Sequence, residues 1–139
     1  MNNTDKNGSI RLLCVDDNAE VLGAMGLLFD GVDGIKTVGC LTDPRQMESE
    51  IEAKQPDVVA LDFWIPGQDS IALMRSAKDK HPGVHFLILS ADDSDEHVER
   101  ALANGATGYE LKDGNFQRLA NAIRVVARGE RLLPRSELR

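Results

Sequence analysis

Short apolar runs and longer amphipathic stretches alternate along the chain. Ile10 to Val15 (IRLLCV) is a β-type run that stops at Asp16-Asp17-Asn18. From Asn18, a helix-capping residue type, apolar residues fall at Val21, Leu22, Met25, Leu28 and Phe29. That spacing is one face of a helix, which Gly31 and Gly34 end. Ile35 to Cys40 reads as a second strand, and Asp43-Pro44 opens a helix as N-cap and first-turn proline. Asp57 to Leu61 reads as a buried strand closed by Asp62, and a helix runs from about Asp69 to Lys80. Val84 to Leu89 is the fourth strand, ending at Ser90. Asp93 or Ser94 can cap the next helix. A brief fifth strand from about Thr107 to Leu111 reaches Lys112, and Asp113 is placed to cap the last helix. Five strands alternating with five helices predict an α/β fold, a parallel sheet with helices on both faces and right-handed crossovers.

This scheme fits one domain over 10–128. The polar stretch 1–9 is expected to be a disordered leader, and 129–139 a C-terminal tail or linker start. A chain of 139 residues with 42% hydrophobic content buries a core without disulfides or a structural metal. Cys14 and Cys40 both fall in strand-like runs and are expected to be small buried hydrophobes with reduced thiols. No apolar run is long enough to span a membrane, and the cysteine usage points to the cytoplasm. The net charge is −7 without a basic cluster, so direct nucleic-acid binding by this chain is not expected. His81 and His85 flank Pro82-Gly83, which prevents a helical zinc pair, and His97 is expected to be solvated.

The polar residues that close the strands carry the chemistry. Asp16 and Asp17 end the first strand, Asp62 the third, Ser90 the fourth and Lys112 the fifth. In a parallel sheet these carboxyl ends share one edge, where open α/β sheets bind ligands. Asp and Ser also end strands as ordinary turn formers, but five such residues on one edge exceed what turns require. Three close carboxylates repel one another unless a hard divalent cation such as Mg²⁺ joins them. A carboxylate can attack phosphorus, and an ammonium and a hydroxyl suit phosphoryl oxygens. The group therefore reads as Mg²⁺-assisted phosphoryl transfer onto an aspartate.

VDDN at 15–18, LDFWIPGQDS at 61–70, LSA at 89–91 and GATGYELKD at 105–113 resemble, in order, the receiver domain of bacterial two-component response regulators. The resemblance covers about Ile10 to Arg128. It implies a flavodoxin-like sheet of order 2-1-3-4-5, and a phosphoryl group received from a histidine kinase or a phosphotransfer protein. Carried over by position, Asp62 is the phosphoacceptor. Asp17 ligates Mg²⁺ directly, Asp16 acts mostly through water, and the Trp64 carbonyl is the backbone ligand. Ser90 is the switch hydroxyl, Lys112 pairs with the phosphoryl group, and Tyr109 is the aromatic rotamer switch.

The stretch AIRVVARGERLLP at 122–134 resembles receivers of the NarL/LuxR subfamily, which implies a transcriptional output domain outside this chain. Homodimerisation on phosphorylation, through the face of the last two helices and the fifth strand, follows from the same resemblance. Glu110 departs from the family pattern at a usually apolar position, and Trp64 is bulky for its place. A haloacid-dehalogenase-like phosphatase is the alternative, but it needs an aspartate where Trp64 stands. A flavodoxin-like carrier of flavin mononucleotide is a further rival, but Asp16-Asp17 would repel its phosphate.

Overall fold

The computed structural model describes residues 8–30, 32 and 34–134. Most of the expected leader and residues 135–139 of the expected tail lie outside that range. The elements are β1 (Ile10–Val15), α1 (Ala19–Asp30), β2 (Ile35–Leu41), a 3-10 turn (Pro44–Gln46) and α2 (Met47–Lys54). They continue with β3 (Val58–Asp62), α3 (Ser70–Lys80), β4 (His85–Ser90), α4 (Asp95–Ala103), β5 (Gly108–Leu111) and α5 (Phe116–Ala127). The five strands form one sheet of order β2-β1-β3-β4-β5, with every pairing parallel.

Alternation along each strand sorts the core into two layers, because successive side chains leave a strand on opposite faces. Leu13, Val15, Val59, Leu61, Phe86 and Ile88 pack with Met47, Ile51, Ile71, Met74 and Val98 from α2, α3 and α4. Leu12, Cys14, Val58, Ala60, Leu87 and Leu89 pack with Leu22, Met25, Phe29, Leu119, Ile123 and Val126 from α1 and α5. Burial on both faces explains why the inner strands read as continuous apolar runs.

The local signals place the helix starts. Asn18 Oδ1 accepts from the N–H groups of Glu20 and Val21 at 3.0 and 3.1 Å. Asp69 caps α3 by accepting from Ala72 N at 3.1 Å. Asp43 caps the 3-10 turn that precedes α2. The α5 cap differs from expectation. Asn115, not Asp113, accepts from Arg118 N at 3.0 Å. Gly114 (φ +84°) delays the helix by two residues, and the Asp113 carboxylate pairs with the Arg118 guanidinium instead.

Two other expectations change. Leu28 lies at the margin of α1 and is exposed, because Leu22, Met25 and Phe29 take the sheet-facing line. Cys40 is exposed although Cys14 is buried, since β2 is an edge strand and lacks cover on one side. The first residues of the expected tail run back beside β5. Leu132 forms a parallel bridge with Gly108, with Tyr109 N donating to Leu132 O at 3.0 Å.

That approach requires glycine at 108. A Cβ there would lie 2.7 Å from Val126 Cγ2 and 3.0 Å from Leu132 Cβ. Gly108→Ala is therefore expected to destabilise the fold by about 1–3 kcal/mol through overpacking. Its urea midpoint should fall, and an unchanged midpoint would show that α5 and the 129–134 stretch give way freely.

Candidate functional site

The sheet ladder carries the strand-end residues onto one edge. Hydrogen bonds continue beyond the strands: Asp16 N to Leu41 O at 3.0 Å, Phe63 N to Leu89 O at 2.9 Å, and Lys112 N to Ser90 O at 2.8 Å. They fix the backbone just where the functional side chains begin. Asp16 Oδ1 accepts from Asn18 N at 2.9 Å, turning the chain into α1 and leaving Asp17 exposed between them. Pro66-Gly67 turns the chain back after β3. Gly67 has φ +75°, and Gln68 N donates to Ile65 O at 3.1 Å, as a proline–glycine turn of this kind requires.

Three of the sequence-selected carboxylates meet. One oxygen from each of Asp16, Asp17 and Asp62 lies within 4.8 Å of the others. The Lys112 ammonium hydrogen-bonds Asp16 Oδ2 and stands 3.5 Å from Asp62 Oδ2. Trp64 N donates to Asp62 Oδ1 at 3.2 Å. Ser90 is fully buried, and its Oγ accepts from Asp92 N at 3.1 Å. Tyr109 is also fully buried, with its hydroxyl donating to the Asp92 carbonyl. The ring thus points inward, behind Ser90.

The electrostatics are those of crowded acids. Burial pushes the Asp62 carboxyl up to about 6, against the pull of Lys112 and with the Asp16 and Asp17 charges adding to the rise. Burial also works against the Lys112 charge, yet the hydrogen bond to Asp16 and the Asp62 charge outweigh it and hold the ammonium above its ordinary pKa. The donor set is all oxygen, anionic and open on the Asp17 side, which fits a hard divalent cation.

A stability consequence follows in the absence of metal. A raised acid pKa means that the folded state holds the Asp62 proton after the unfolded chain has lost it. Stability therefore falls as pH rises from about 4 to about 6. Asp62→Asn removes that charge. In EDTA at pH 7.5 the variant should gain about 1–2 kcal/mol after allowance for solvent screening, or roughly 3–8 °C in Tm. The gain should vanish near pH 4. An equal gain at both pH values would show a packing effect, not a charge effect.

Several neighbours were not legible beforehand. His97, expected to be solvated, is half-buried against the rings of Phe63 and Trp64, with centroids 5.0 and 5.1 Å away. Its Nδ1 lies 2.7 Å from Asp92 Oδ2. His97 sits in the first turn of α4, which this edge of the sheet overhangs, and that position is its only sequence signal. Trp64 is 55% exposed, so its indole lies at the rim of the site. Glu110 is buried at its unusual position because Arg118 of α5 reaches it, with Nε 3.3 Å from Oε1.

Comparison with known proteins agrees with this geometry. The family profile described as the response regulator receiver domain matches residues 12–124. The chain is 32% identical over 123 residues to the transcriptional regulatory protein DesR of Bacillus subtilis, covering 88% of this chain and 61% of that protein. It is 28% identical over 122 residues to the oxygen regulatory protein NreC of Staphylococcus carnosus, covering 87% and 56%. The chain thus spans about six tenths of the length of these curated relatives. Among solved structures, the receiver domain of the putative response regulator NarL from Mycobacterium tuberculosis superposes with a TM-score of 0.81 at 26% identity. That match covers 88% of this chain and 98% of that one. With NarL- and DesR-type regulators as its relatives, the chain belongs to the response regulator receiver domain family.

Proposed function

We propose that this chain is a phosphorylation-activated signalling switch in which Asp62 accepts a phosphoryl group from a histidine kinase or phosphotransfer protein. The observation that carries the reading is the meeting of Asp16, Asp17 and Asp62 with Lys112 placed between two of them. Asp16, Asp17, Asp62 and the Trp64 carbonyl would hold Mg²⁺, which would supply charge neutralisation for the transferring group. An Asp62 oxygen attacks phosphorus in line, and the bond from phosphorus to the donor nitrogen breaks, with that nitrogen keeping the electron pair. Lys112 and the Ser90 hydroxyl then bind phosphoryl oxygens. The chain catalyses only its own phosphorylation and dephosphorylation.

The new charge rewards movement of Ser90 toward the site. Tyr109 already packs behind Ser90, so its inward position fits the phosphorylated conformation. The face of α4, β5 and α5 then shifts between two populations and controls dimerisation, or a transcriptional output domain joined after the receiver unit at 10–128. The protein would work in the cytoplasm. No described helix is long and apolar enough to cross a membrane.

Acetyl phosphate with Mg²⁺ should add one phosphoryl group to the intact protein by mass, and EDTA should prevent it. Full labelling in EDTA would refute the metal-assisted reading. A beryllofluoride complex should shift the sedimentation profile, and an unchanged profile would remove dimerisation from it.

A further inference from the structure

The two cysteines are Cα partners in the β1–β2 ladder. Partners in a parallel ladder carry their side chains on one face, with strands about 4.8 Å apart. That spacing lies inside the roughly 4.4–6.8 Å range of Cα separations that disulfides span. The shared face is the one beneath α1. Cys14 packs in that layer, and Cys40 Sγ lies 4.0 Å from Leu22 O. Gly26 makes the room, since a Cβ there would lie 3.4 Å from Cys40 Sγ. The ladder thus sets the two side chains next to each other beneath α1.

Their accessibility differs sharply. Cys14 is fully buried and Cys40 is exposed, so Cys40 is the cysteine open to a solute. The neighbouring Cys14 thiol also brings the Cys40 thiol down to about 7, against the effect of burial. β2 is an edge strand, and its register with β1 shifts between Leu12 and Leu13. The Cys40 segment can therefore adjust without disturbing a second neighbour strand.

We propose that Cys40 and Cys14 form a peroxide-oxidisable dithiol, in which Cys40 is oxidised first and Cys14 resolves it as an intramolecular disulfide. The Cys40 thiolate attacks an oxygen of hydrogen peroxide. The S–O bond forms, the O–O bond breaks, and the departing hydroxide takes a proton to leave as water. The Cys14 sulfur then attacks the Cys40 sulfur of the sulfenic acid. The S–S bond forms, the S–O bond breaks, and the Cys14 proton leaves with the hydroxide as a second water. Two thiols lose two electrons, and one peroxide becomes two waters. The bond ties the edge strand to β1 two residues before Asp16.

The test uses the whole chain, reduced and then freed of reductant. After a few equivalents of hydrogen peroxide it is unfolded in N-ethylmaleimide and weighed. Both alkylatable thiols should be lost from the monomer and restored by dithiothreitol, and tryptic mapping should find the Cys14 and Cys40 peptides linked. Cys14→Ala should instead accumulate a sulfenic acid at Cys40 that dimedone traps. Cys40→Ser should keep Cys14 alkylatable after peroxide. Thermal melts before oxidation verify that each variant is folded, and the wild-type peptide map decides the matter if one is not. Retention of both thiols in the wild type would overturn the proposal. So would dimers linked through Cys40, or Cys40 sulfinic acid beside a free Cys14.

Discussion

Asp62→Asn is expected to lose the phosphoryl adduct that acetyl phosphate and Mg²⁺ give the wild type, with the labelling rate falling at least about a hundredfold. The reason is chemical before it is structural. An amide oxygen carries no full charge and is a poor nucleophile toward phosphorus, while the shape of the side chain is kept. Asp62 is the member of the acid group with 7% exposure, on the last position of β3, where the ladder fixes its backbone. Lys112 is 3.5 Å from its Oδ2, ready to meet negative charge on the transferring group. Asp16 and Asp17 remain in the variant, so a second acceptor in the cluster would reveal itself as residual label. Labelling of Asp62→Asn at the wild-type rate would remove Asp62 as acceptor, and peptide mapping would then identify the true one.

Asp17→Asn should raise the Mg²⁺ midpoint by roughly 10- to 100-fold. A unit charge about 4 Å from another is worth about 4 kcal/mol at an effective dielectric near 20, and exposure at Asp17 screens part of the larger attraction to a divalent ion. The built-in reporter is Trp64, the only tryptophan in the chain. Its backbone N–H is tied to Asp62, and its ring packs at a tilt on Phe63, with centroids 4.8 Å apart, and edge-on to His97. Its emission should change with Mg²⁺, saturate, and change again with beryllofluoride. In Asp17→Asn the same curve should move to higher Mg²⁺, with slower phosphorylation at fixed metal. An unmoved midpoint would remove Asp17 from the ligand set. Constant emission alongside calorimetric binding would place the indole outside the reach of the ion.

The elements were readable in the chain because their signals are local. Period-2 and period-3.6 patterns, and caps such as Asn18 and Asp69, act within a few residues. The strand-end residues were readable for a related reason. A parallel sheet puts all carboxyl ends on one edge, so the strand order alone gathers Asp16, Asp17, Asp62, Ser90 and Lys112. The misplaced α5 cap shows the limit of such signals. Asp113 and Asn115 are both capping residue types, and the choice fell to the left-handed Gly114 between them and to the reach of Arg118.

The α/β alternation, the strand ends and, through ordered motifs, the family are thus written along the chain. Contacts between distant segments are not. Lys112 contacts Asp16 from 96 residues away, and no local period encodes that pairing. His97 looked solvated until α4 laid it on Phe63 and Trp64. Cys40 looked buried until strand order put β2 at the edge, in register with Cys14. Local patterns fix backbone conformation because they depend on neighbours along the chain. Exposure and pairing depend on which segments pack together, and that is settled only when the whole sheet and its two helix layers close around one core.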